Sequence, residues 1–72
     1  MSKTIYVERI LHNHEIAGMG IAFTSKKKAA DHLRKIENET ENVLGFSATD
    51  LWLTYEISGV TVQIDFQETE LL

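Results

Sequence analysis

Seventy-two residues without a cysteine exclude a disulfide-stapled scaffold and a thiolate metal centre, and they suffice for one domain, residues 1–72. A chain this short buries only roughly 60% of the surface its unfolded form exposes, so self-association is the expected source of extra stability and a homodimer the expected state. Eleven acids against seven bases give a formal charge of −4, which disfavours nucleic acid or an anionic membrane as a partner of the whole molecule.

The opening Met-Ser-Lys-Thr-Ile-Tyr-Val enters an alternating pattern with no apolar signal core. No apolar run approaches the ~20 residues that span a bilayer. The expected location is therefore cytoplasmic, with no membrane partner.

Residues 4 to 11 and 16 to 23 read as the first two strands. A three-residue His12-Asn13-His14 loop sets Ile5, Val7 and Leu11 on one face with Ala17, Met19, Ile21 and Phe23, the better apolar face of the registers available. Gly18 and Gly20 then fall on the other face with Tyr6, Ile10 and Ile16. Two glycines there leave a shallow groove, which is either filled by Tyr6 or Trp52 or approached by a ligand.

Lys26 to about Thr40 reads as a helix, capped by Thr24 or Ser25. Ala29, Leu33, Ile36 and Thr40 form a narrow apolar stripe, and Gly45 is a candidate left-handed stop. The stretch Leu51 to Phe66 then alternates on both sides of Ser58-Gly59, a strong hairpin signal. A two-residue turn pairs Ile57 with Val60, Tyr55 with Val62, Leu53 with Ile64 and Leu51 with Phe66, and puts all eight on one face.

The order β-β-α-β-β predicts an α+β fold: a mainly antiparallel four-stranded sheet with one helix packed on one face. One helix is narrower than four strands, so a partner subunit, residues 41–50 or the C-terminal tail is expected to complete the cover.

Chemistry-bearing motifs are sparse. His12, His14, Glu15 and His32 lack any specific metal spacing, and no nucleophile elbow, phosphate-cradling loop or triad is present. No catalytic residue, metal or cofactor is expected. Glu8, Glu56 and Asp65 are placed on the wet face of the sheet.

Trp52 is expected on that same face with Tyr6, Ile10, Ile16 and Glu56. Tryptophan and tyrosine on a polar sheet face are residue types enriched in interfaces. The expected function is a small protein-binding module, an inhibitor or adaptor of the sort frequent in phages and mobile elements, acting on an unidentified protein as a homodimer.

Two other functions stand beside it. Lys26, Lys27 and Lys28 at the helix start are candidates for binding phosphate or nucleic acid, against the ordinary role of a solvated charged turn. A small ligand-binding or enzymatic protein would instead need a deep pocket near Gly18, Gly20 and Trp52.

Overall fold

The computed structural model describes residues 3–71. The chain forms β1 (Lys3–His12), β2 (Glu15–Phe23), α1 (Lys26–Glu39), β3 (Val43–Ser47), β4 (Trp52–Ile57) and β5 (Val60–Leu71). The fold is α+β, with five strands rather than four in one sheet of order β2-β1-β5-β4-β3, every neighbouring pair antiparallel. The fifth strand, β3, comes from the segment expected to cover the core. It extends the sheet sideways instead, pairing along β4 from Ser47↔Trp52 to Val43↔Tyr55. The backbone of the tail prolongs β5, paired with β1 as far as Lys3↔Leu71, and Leu72 lies outside the described residues.

The β4–β5 hairpin has the register its alternation predicts. Ser58 (φ 51°) and Gly59 (φ 79°) make the two-residue turn, and pairing runs from Ile57↔Val60 to Trp52↔Asp65. Leu51 departs from the expected strand. It sits in the preceding turn at φ 59°, a left-handed conformation that is costly for leucine, and its burial offsets that cost. Ile57 faces the expected side but stays exposed, lining an open cleft with the last residue of the helix.

Helix α1 starts where Ser25 accepts a hydrogen bond from the Lys28 backbone N–H at 3.3 Å. It stops at Thr40, whose hydroxyl donates to the Ile36 carbonyl at 2.5 Å. Gly45 is therefore not the helix stop. It lies in β3 beneath the Trp52 ring, where an added Cβ would fall 2.8 Å from two ring carbons. The left-handed residue after the helix is Asn42, at φ 57°. Ala29 and Leu33 of the stripe are buried against Leu51, Leu53, Val62 and Ile64. Each full-sized apolar side chain so buried contributes about 1.5–3 kcal/mol.

The first hairpin corrects the expected faces. Its turn has two residues, Asn13 (φ 50°) and His14 (φ 71°), with His12 opposite Glu15. Two irregularities in β2 then shift the register, between Leu11↔Ile16 and Ile10↔Gly18 and again between Arg9↔Met19 and Val7↔Ala22. As a result Tyr6, Ile10 and Phe23 pack on the core, with Glu8 buried beside them. Ile5, Val7 and Leu11 lie on the outer face, half-buried, and Met19 and Ile21 are exposed.

Aliphatic content alone favours the opposite choice, and polar partners decide against it. In the observed register the Asn13 N–H donates to the Thr61 carbonyl at 2.8 Å, and the Thr61 N–H donates to Asn13 Oδ1 at 3.1 Å. Glu8 meets His32 on the inner face and Arg9 meets Asp65 on the outer face. A slip of one residue would reverse every side chain of β1 and break both pairs.

Candidate functional site

Beneath the helix, Glu8 is only 5% exposed, and His32 of α1 donates from Nε2 to its Oε2 at 2.7 Å. The Phe23 ring centroid lies 5.2 Å from that of His32 and 5.8 Å from that of Phe66, so the pair sits in an aromatic collar. Gly20 is what makes room for it: a Cβ there would fall 1.8 Å from a Glu8 carboxylate oxygen. The glycine pair is thus a packing device at Gly20, filled by Glu8 and not by Tyr6 or Trp52, while Gly18 faces open space. A buried carboxylate is tolerated only when hydrogen-bonded, so this contact ties the helix to the sheet.

One residue further along β1 the chain faces the other way. Arg9 Nε and Nη2 donate to the two carboxylate oxygens of Asp65 at 2.8 and 3.0 Å, a two-pronged pair. Trp52 is the β4 residue opposite Asp65, and Met19 is the β2 residue opposite Arg9. Hydrogen bonding to Asp65, then its charge, raise the Arg9 guanidinium above its ordinary value. The outer face therefore has a self-neutralised polar centre. Ile5, Val7 and Leu11 run along one side of it and Trp52 lies on the other, with no second layer among the described residues above them.

The five residues expected to form an interface do not share one surface. Trp52 and Glu56 lie on the outer face, and the first register shift brings Ile16 there, opposite Leu11. Tyr6 and Ile10 belong to the inner face and pack against the core. Glu8, expected on the wet face with Glu56 and Asp65, is inside, while Asp65 is neutralised by Arg9. Gly18 and Gly20 are on the inner face and Trp52 on the outer, so the three do not line one groove.

Lys26, Lys27 and Lys28 are exposed in the first turn of α1. Lys26 shares an open cleft of about 250 Å³ with Tyr6, Asp50, Leu51, Phe66 and Glu68, so acids from β5 and the β3–β4 turn face the start of the helix. Burial, and then the neighbouring Glu68 carboxylate, raise the Tyr6 phenol above its ordinary value. A second open cleft, about 440 Å³, lies at the other end of the helix between Glu39–Asn42 and Tyr55–Ser58. His12 lies four residues from Glu8, roughly 13 Å along β1, so it does not join the Glu8–His32 pair.

Neither the Glu8–His32 hydrogen bond nor the Arg9–Asp65 ion pair is legible in the motifs of the chain. The one cue is the even-numbered set Tyr6, Glu8 and Ile10, in which a single acid interrupts two large apolar residues opposite a glycine-rich strand.

No helix among the described residues is long and apolar enough to cross a membrane. Comparison with known proteins gives no match to a family model, to a curated protein or to a solved structure.

Proposed function

We propose that the chain is a small protein-binding module of the inhibitor or adaptor kind, acting as a homodimer and presenting the outer face of its sheet to a target protein. The observation that carries this reading is the one-sided architecture. A five-stranded sheet has the one helix among the described residues on one face, and Ile5, Val7, Leu11 and Trp52 line the other around a neutralised Arg9–Asp65 pair. Apolar and aromatic side chains around a satisfied polar centre are the composition of a binding patch.

The dimensions agree. The accessible surface is 4961 Å², against about 4,500 Å² expected for a compact monomer of this mass. The radius of gyration is 12.5 Å, against about 11 Å expected for this length. Surface left over in this way favours further burial against a partner.

The test uses tagged protein in a pull-down from the source cell, with Val7→Glu, Trp52→Glu and Lys27→Glu variants checked for folding by circular dichroism. The expected result is a partner retained by the parent and by Lys27→Glu and lost by the two outer-face variants. Capture that survives both outer-face changes, or none by the parent, overturns the reading.

A further inference from the structure

The two edges of the sheet are unequal. β3 is five residues long and irregular at Leu44, a short edge of the kind that resists strand addition. β2 is nine residues long, Glu15–Phe23, with its outward side unpaired in the described sheet. After Glu15 it carries no charge and no proline. Ile16, Met19 and Ile21 are 63%, 56% and 55% exposed, the most open run of large apolar side chains in any strand. Its two register shifts are its one blunting device, and each leaves a residue without a ladder partner on β1.

From this edge we infer that two copies of the chain join through β2, antiparallel and centred on Met19, into one continuous ten-stranded sheet. The inference rests on the homodimer proposed above and assigns it to the β2 edge, beside the outer-face patch of Ile5, Val7, Leu11 and Trp52.

Charge selects a second copy in this orientation. The chain carries −4 overall, so two copies repel unless they meet where acids are absent. Centring on Met19 places Glu15 of one copy opposite Phe23 of the other. The two Glu15 carboxylates are then at opposite ends of the joint, and each is beside the exposed lysines that begin the partner's helix three residues past Phe23. A parallel joint would instead set Glu15 beside Glu15. In the antiparallel joint the lysine run, unfavourable to the helix dipole, gains the partner copy's acid in addition to Asp50 and Glu68, which already share a cleft with Lys26. The outer faces of both copies stay free and coplanar, which doubles the target-binding patch.

Light scattering after size exclusion, from micromolar to millimolar protein, tests the joint. The parent is expected to give twice the 8.2 kDa chain mass. Met19→Lys, which puts two ammonium groups together at the centre, is expected to weaken association at least a hundredfold. Glu15→Lys is expected to weaken it about tenfold, and adding Lys26→Glu, Lys27→Glu and Lys28→Glu to it to restore it. Circular dichroism identifies any variant that fails to fold, and for such a variant hydrogen exchange of the parent decides: β2 amides protected in a concentration-dependent way support the joint, and unprotected ones overturn it. A dimer indifferent to Met19→Lys and Glu15→Lys but dissociated by Trp52→Glu overturns the β2 joint while leaving the homodimer standing. A parent that is monomeric throughout overturns both.

Discussion

Glu8 and Arg9 are neighbours on β1, and each makes one side-chain pair, yet the two pairs do different work. Glu8 points inward, loses its water, and holds His32 across the sheet–helix gap. Arg9 points outward, keeps part of its surface in solvent, and spans β1 to β5 within the sheet. The inner pair joins two layers and the outer pair joins two strands of the same layer. Burial decides how much each matters, because removing one member of a desolvated pair strands the other, whereas a wet partner is rehydrated.

The largest effect is expected from His32→Ala, a loss of about 3 kcal/mol in urea unfolding, since the Glu8 carboxylate is left buried beneath the helix without its partner. A loss under about 1 kcal/mol would place the pair among the weak surface contacts. Gly20→Ala comes next, at about 2 kcal/mol, because the new methyl displaces a carboxylate already held by His32. In the double variant with Glu8→Ala the two effects should not add, and full additivity would show that Gly20 serves something other than Glu8.

Arg9→Ala is expected to cost about 1 kcal/mol or less, discounted for the third of its side chain that solvent reaches, and that cost should shrink further in molar salt. A cost equal to that of His32→Ala would erase the distinction between the faces. The smallest effect is spectroscopic. With the Tyr6 phenol raised, the folded state holds its proton where the unfolded state has begun to release it. Stability contributed by Tyr6 is therefore intact below the ordinary tyrosine range and is lost as the pH rises through the raised value. Absorbance at alkaline pH should show one tyrosine ionising late, and Tyr6→Phe should remove that late phase.

The two hairpins were unequally legible. In β4–β5 an apolar residue occupies every alternate position, the Ser58-Gly59 turn allows one register, and pattern and structure agree from Trp52 to Asp65. In β1 the odd positions hold Ile5, Val7 and Leu11 and the even positions hold Tyr6, Glu8 and Ile10, so hydrophobicity pointed to the wrong face. The partners that reverse the choice, His32, Asp65 and Thr61, lie 24, 56 and 48 residues away, beyond the reach of any local pattern. The fifth strand was hidden for a similar reason. Val43–Ser47 is short, and the glycine at its centre reads as a helix stop until Trp52 is seen lying over it. For the candidate surface, alternation placed Trp52 and Glu56 on the outer face but misplaced Tyr6 and Ile10.

The position of β5 between β1 and β4 governs how the chain can reach this state. The second hairpin closes locally, but β1 lies against a strand whose residues are 50 to 68 positions later, from His12↔Val62 to Lys3↔Leu71. Such distant closure places the molecule among slow-folding topologies, in the range of milliseconds to seconds. On the ribosome the β1–β2 hairpin emerges first and waits, with Tyr6, Glu8 and Ile10 facing water, until β5 has been synthesised. During that interval the β2 edge, uncharged after Glu15, and the unfinished inner face are exposed together.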